Sequence, residues 1–233
     1  MLSRLTKALN KGHSMQNMPQ VSNEAKIVEA LNRLSQGDSH YAYTVLFKEN
    51  RFEYNGSLQF KSLEGIDLSF VYFINAKFSG TNFSHSTMIE VSFRESALSY
   101  ANFSDADLRN AQLDPVNLSE AQLNRTNLEF AYVIGNLEQA SFEYAKMKRA
   151  LICGNARSAS FQHTDLSDAS FTSANLQDVD FSDAILVNTE FVNCTFNSHT
   201  RLPDKTYLES PDQIKQFGAK FGLAEYPNFF NKD

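Results

Sequence analysis

From Leu58 to Val133 an apolar residue returns at every fifth position: Leu58, Leu63, Leu68, Phe73, Phe78, Phe83, Met88, Phe93, Leu98, Phe103, Leu108, Leu113, Leu118, Leu123, Leu128 and Val133. A small residue stands two positions ahead of many of them (Ala76, Ser86, Ala101, Ala106, Ala111, Ala121, Ala131), and Asn or Asp often stands just ahead (Asn82, Asn102, Asp107, Asn117, Asn127). A period of five matches neither the 3.6-residue period of a helix face nor the two-residue alternation of a strand. It requires a backbone that turns a corner once per unit, and so a coiled solenoid in which each unit stacks on others.

The pattern slips twice and resumes each time. Leu137, Phe142, Met147 and Ile152 form a second phase; Ala156, Phe161, Leu166, Phe171, Leu176, Phe181, Leu186, Phe191 and Phe196 form a third, giving 29 units in all. Each slip is a four-residue unit, Ala131-Tyr132-Val133-Ile134 and Ala150-Leu151-Ile152-Cys153, followed by Gly-Asn at 135–136 and 154–155. The short units begin 19 residues apart, three fives and one four. With four units per turn, the second lies directly over the first and cuts the same corner, so the stack stays in register. Four sides per coil follows from the chain's own irregularities.

The units Ala101-Asn102-Phe103-Ser104-Asp105, Ala106-Asp107-Leu108-Arg109-Asn110, Thr164-Asp165-Leu166-Ser167-Asp168 and Ala174-Asn175-Leu176-Gln177-Asp178 resemble those of the pentapeptide-repeat family over residues 56–198. The resemblance implies an all-β solenoid: a right-handed quadrilateral parallel β-helix with the central Leu or Phe and the small residue inward. About seven coils at ~4.8 Å spacing make a rod of about 34 Å. Short helical flanks complete the expected organisation: a flexible arm at 1–21, a helix-and-strand cap at 22–55, the β-helix at 56–199, and a C-terminal helical cap or dimerisation tail at 200–233. Within that tail, Ser210-Pro211-Asp212-Gln213 carries helix-start signals, and a helix to Lys220 is expected. Its Ile214, Phe217 and Phe221 either cover the last coil or form a dimer contact, as the family's gyrase-protecting members do through their C-terminal ends.

Composition narrows the function classes. No stretch approaches the ~18 apolar residues of a membrane span, and the N-terminus lacks the pattern of a secretory signal. Cys194 falls at an inward small position and Cys153 outward beside a corner, so a disulfide is not expected and a reducing cytoplasm is. His85 and His163 lie on one side about 19 Å apart, too far to share a metal. With no phosphate-cradling glycine loop, no paired cysteines and no cleft, neither catalysis nor a cofactor is expected.

Residues 56–199 hold 17 acidic and 9 basic side chains. One side collects Glu64, Asp105, Glu143, Asp180 and Asp183 against Arg125. The family resemblance offers a reading for it, since some members imitate B-form DNA and bind DNA gyrase or another type II topoisomerase. Five carboxylates along the rod are sparse beside one charge per ~1.7 Å of B-DNA axis. A basic group, Lys146, Lys148, Arg149 and Arg157, reads as a salt-bridged belt, with no direct nucleic-acid contact.

The leading expectation is therefore a bacterial, non-enzymatic interaction scaffold that binds another protein. A topoisomerase binder of the quinolone-resistance type and a secreted effector are the alternatives. The candidate contact residues are Tyr72, Ile74, Tyr132, Ile134, Leu151, Cys153 and Val192, outward apolar groups on the side that bears the short units. Either a protein partner, a second subunit, or the chain's own N-terminal helix through Ile27, Leu31 and Leu34 covers them.

Overall fold

The computed structural model describes residues 57–221. The expected arm at 1–21, the cap at 22–55 and the end of the tail lie outside the described residues. Every central residue from Leu58 to Phe196 points inward and is at most 4% exposed. After Leu113, Val133 and Ile152 the strand runs on. Most of the others are followed by a tight corner, commonly a β-turn closed by an N–H···O bond such as Lys61 N to Leu58 O, 3.2 Å, whose third residue has positive φ: Phe60 at 58°, Asp105 at 60°, Phe130 at 61°. A non-glycine residue held there costs about 1–2 kcal/mol. The buried apolar side chain beside it, roughly 1.5–3 kcal/mol, offsets that strain.

The inward small position explains the choice between Ala and Ser or Thr. A hydroxyl there usually donates to a carbonyl on the preceding coil: Thr81 to Leu58 O at 2.7 Å, Thr126 to Phe103 O at 2.9 Å, Thr164 to Phe142 O at 2.6 Å. Ser96 instead donates to Arg94 O of its own coil and accepts from Ala76 N, both at 3.2 Å. Inward Phe rings stack one coil apart, Phe83 on Phe103 at 5.0 Å and Phe142 on Phe161 at 4.9 Å. From Leu108 to Leu137 the central positions are aliphatic, so two aromatic stacks flank an aliphatic middle.

The four sides are not equivalent. One, the sheet side, carries true strands: β1 (Tyr72–Ile74), β2 (Ser92–Arg94), β4 (Gln112–Asn117), β5 (Tyr132–Asn136), β6 (Leu151–Asn155), β7 (Ser170–Asn175), β8 (Glu190–Val192) and β9 (Lys220–Phe221), stacked parallel in that order. The short β3 (Ser96–Ala97) pairs with β4 just past the corner. The other sides are held mainly by single bridges, such as Asn82 to Asn102. Past the corner after the sheet side runs an asparagine ladder, in which Asn136, Asn155 and Asn175 each donate to the Asn one coil before, at 3.4, 3.3 and 3.2 Å.

The short units stack as the 19-residue spacing requires, Tyr132 to Asn136 pairing with Leu151 to Asn155 in unbroken register. In the five-residue units on either side, register shifts between Leu113 and Val116 and opposite the step from Ile152 to Gly154 accommodate one extra residue. Gly135 (φ 145°) and Gly154 (φ 105°) make this flattened corner possible. A Cβ on Gly135 would stand 2.0 Å from the Val116 carbonyl oxygen, and one on Gly154 2.1 Å from that of Gly135.

The C-terminal end departs from expectation twice. The repeat does not stop at 199: after one extra residue, Leu202 points inward, Thr200 takes the small position and donates to Leu176 O at 2.9 Å, and Lys205 (φ 69°) makes the corner. The chain then doubles back, Arg201 bridging antiparallel to Tyr207, and buries Leu208 and Ile214. Helix α1 (Pro211–Lys215) starts where its signals place it, with Ser210 N donating to the Gln213 side chain at 3.0 Å. It ends at Lys215 instead of running to Lys220. Gly218 (φ 83°) reverses the chain, and Lys220 and Phe221 pair with Glu190 and Phe191. The unpaired edge of β8 recruits this backbone, which a helix continued to Lys220 would have left unused. Ile214 is fully buried, and Phe217 and Phe221 pack partly buried against the core.

Candidate protein-contact surface

The sheet side presents two outward columns because successive strand residues face opposite ways. The first runs Tyr72, Ser92, Gln112, Tyr132, Leu151, Ser170, Glu190. The second includes Ile74 beside Arg94, Ile134 beside Cys153, and Thr172 beside Val192. Of the seven apolar residues singled out by sequence, Tyr132, Leu151, Ile134 and Cys153 therefore form one cluster on two adjacent strands. Tyr72 and Ile74 lie on β1, with β2 and β4 intervening, and Thr172 separates Val192 from Cys153. Tyr132 is 50% exposed, while Ile134, Leu151 and Cys153 are half-buried. Both cysteines are free; burial raises the Cys153 thiol pKa and pushes that of Cys194 up to about 11.

Sequence reasoning missed the corner next to this cluster. Two residues after each central position of the preceding side stand Glu90, Asn110, Phe130 and Arg149, all with φ of 56–61°. This column runs parallel to Ser92, Gln112, Tyr132 and Leu151. Phe130 is 46% exposed, and the Arg149 guanidinium lies over its ring at 5.6 Å. A groove of about 610 Å³ opens between the two columns, with Phe130, Tyr132, Arg149 and Leu151 around one end and Tyr72 and Glu90 towards the other. A smaller one, about 310 Å³, lies on the far side of Tyr132 beside Arg94 and Asp114. The available signal was positional: a residue two after a central apolar one occupies a fixed, outward-projecting corner.

The acidic side is organised differently. Arg125 grips Asp105 through two bonds of 2.7 and 2.8 Å, and this guanidinium holds the Asp105 carboxyl below the usual range. Lys205 reaches Asp183 at 3.0 Å, with His163 at 3.7 Å, and His163 stacks on Tyr144 at 4.4 Å. Asp180 accepts from Gln162 at 2.9 Å and faces Arg201 at 3.8 Å. Glu143 accepts from Ser160 at 3.3 Å and Glu64 from Asn82 at 3.4 Å. The basic group is engaged in part: Lys148 pairs with Asp165 at 3.2 Å and Arg157 with Asp178 at 2.9 Å, Arg149 reaches Asp168 only at 4.0 Å, and Lys146 makes no ion pair among the described residues. Among the described residues no three His, Cys, Asp or Glu side chains converge as a metal site, and no helix is long and apolar enough to cross a membrane.

Comparison with known proteins adds the lineage. The family model for a pentapeptide repeat region matches residues 66–142, and that for pentapeptide repeats in eight copies matches 155–188 and 174–198. Comparison with curated proteins finds no match. Similar solved structures include HetL from the cyanobacterium Nostoc sp. strain PCC 7120, a pentapeptide repeat protein involved in heterocyst differentiation regulation. It is 22% identical, with 68% of this chain and 91% of that one covered and a TM-score of 0.46. A pentapeptide repeat protein of the Arabidopsis thaliana thylakoid lumen is 25% identical over 57% of this chain and 79% of its own, with a TM-score of 0.36. QnrB1, a plasmid-mediated fluoroquinolone resistance protein, is 14% identical over 72% and 91%, with a TM-score of 0.38. With its five-residue units, four-sided coil and matched repeat models, the chain belongs to the pentapeptide-repeat family.

Proposed function

We propose that this protein is a non-enzymatic scaffold that presents its sheet side to another protein. The observation that carries the reading is the contiguous cluster of Tyr132, Ile134, Leu151 and Cys153, extended by Phe130 across the corner. The core beneath is already filled, so these groups add nothing to it. Flat strands hold them in fixed register, and an outward apolar cluster on a rigid face marks a contact. The alternative, imitation of DNA for a topoisomerase, draws on the acidic side. There Asp105, Asp180 and Asp183 each face a cation, which weakens the continuous negative field that such imitation needs.

The test is site-specific photo-cross-linking in living cells, with benzoylphenylalanine in place of Tyr132 or, on the acidic side, of Tyr144. The scaffold reading expects a discrete protein adduct from position 132 and none from position 144. Adducts from 144 alone would transfer the contact to the acidic side.

A further inference from the structure

The groove along the sheet-side corner has a chemistry more specific than an apolar patch. Its wall and floor carry, in order along the rod, Glu90, then Asn110 and Gln112, then Phe130 and Tyr132, then Arg149. Glu90, Asn110 and Gln112 are exposed, and no side-chain hydrogen bond or ion pair engages them among the described residues. Arg149 is 63% exposed and reaches Asp168 only at 4.0 Å. One end of the groove thus offers an anion without a cation. The other offers a weakly held cation beside two exposed rings, and two side-chain amides lie between them.

We infer that this groove binds an extended peptide segment of the partner that carries one basic and one acidic residue four positions apart, with an apolar residue midway. The inference rests on the reading of the sheet side as the contact face and specifies what is recognised there. Glu90 precedes β2 and Arg149 precedes β6, three stacked strands further on. At the strand spacing that separates the charges by about 14 Å, which an extended chain covers in about four residues. Residues i, i+2 and i+4 of such a chain face the same way. A basic side chain opposite Glu90 therefore places an acidic one opposite Arg149 and an apolar one between the Asn110 and Gln112 amides and the Phe130 and Tyr132 rings, about half a strand spacing from the rings and within reach of them. The free amides of Asn110 and Gln112 each donate and accept, which suits the peptide backbone between. Opposite charges at the two ends select against a nucleic acid, and the chain's net charge of −6 adds to that.

The experiment is fluorescence anisotropy with the full chain and labelled nonapeptides. Their cores are Lys-Ser-Leu-Ser-Glu, Lys-Ser-Leu-Ser-Lys and Glu-Ser-Leu-Ser-Glu. The mixed-charge core should bind about tenfold more tightly than either like-charged one. Glu90→Lys should shift the preference to the doubly acidic core, and Arg149→Glu to the doubly basic one. Both positions are exposed corners, and circular dichroism checks that the variants fold. Equal binding of all three cores, or preferences that ignore the two charge reversals, overturns the inference. So does charge-insensitive, Tyr132-dependent binding of a peptide spanning residues 24–35, which would make the groove the seat of the chain's own N-terminal segment. If every peptide fails while Tyr132 still cross-links a protein, the groove assignment falls and the scaffold reading stands; if Tyr132 gives no adduct, the scaffold reading falls on its own test.

Discussion

The sheet side and the acidic side are made by the same repeat over the same core, yet they use their outward positions in opposite ways. On the acidic side the outward groups are satisfied within the protein: Asp105 by Arg125, Asp183 by Lys205, His163 by Tyr144. On the sheet side Tyr132, Leu151 and Phe130 project without covering the core, and Glu90, Asn110 and Gln112 keep their polar atoms free among the described residues. The backbone differs in parallel. The acidic side is held by isolated bridges and the sheet side by a continuous ladder. A coil thus assigns stability to its interior and vertical ion pairs, and leaves one face available. The flattened corner belongs to that face: at the two short units, and in the five-residue units that pair with them on either side, the strands run on past the bend to Asn117, Asn136, Asn155 and Asn175.

The largest expected effect separates the two sides by a single methyl group. Gly154→Ala on the sheet side drives a Cβ to 2.1 Å from a backbone oxygen of the neighbouring strand, at φ 105°. It should destabilise the protein by about 3 kcal/mol or more. Gly65→Ala on the acidic side meets nothing within 4 Å among the described residues, at φ 68°, and should cost about 1 kcal/mol. Urea denaturation of the two variants measures the contrast, and equal losses would show that the flattened corner is not tightly stacked.

Next in size is the core, where the sides should not differ. Ala106 and Ala174, each 2% exposed, take the small inward position at different corners. Replacing either with Leu should overpack the bore and cost about 1–3 kcal/mol or more. An unchanged melting temperature in both variants would contradict inward-facing alanines.

The acidic side should respond to pH in a defined direction. The Arg125 hydrogen bonds lower the Asp105 pKa, and the Asn197 side chain, aided by Arg157, does the same for Asp178. A carboxyl whose pKa is lowered by folding contributes stability above its unfolded value, about 4. That contribution fades as pH falls through the lowered folded value. The difference in melting temperature between the protein and Asp105→Asn should thus be small at neutral pH, as for an exposed pair, and vanish on further acidification. A gap that grows in acid would contradict the pairing.

Much of this was legible in the sequence because the repeat is nearly its own structural code. Leu58 to Phe196 announced the inward positions, and the two four-residue units announced the number of sides through their own spacing. The end of the coil was not legible. Leu202 follows Phe196 by six residues, and a lone insertion looks the same as the end of a period. The length of α1 was misjudged for a related reason. Propensity favours continuing to Lys220, but the open edge of β8, a tertiary demand, claims Lys220 and Phe221. Within the contact surface, Tyr132 and Leu151 could be paired by counting turns, and so could Ile134 and Cys153. Phe130 and Arg149 could not be joined to them until the corner residues were seen to project beside the sheet.

The smallest stability effect accompanies the largest functional one. Tyr132→Ser with Leu151→Ser alters outward groups only, so each should change stability within about 0.5 kcal/mol. The most direct test of the account compares this double variant with Asp105→Ser plus Asp183→Ser, its acidic-side counterpart. Each full chain is used to capture the protein cross-linked at position 132, with melting temperatures measured alongside. The account predicts that the sheet-side variant keeps its fold and loses the partner, while the acidic-side variant retains it. Capture that survives loss of Tyr132 and Leu151, or fails with the two carboxylates, would contradict it.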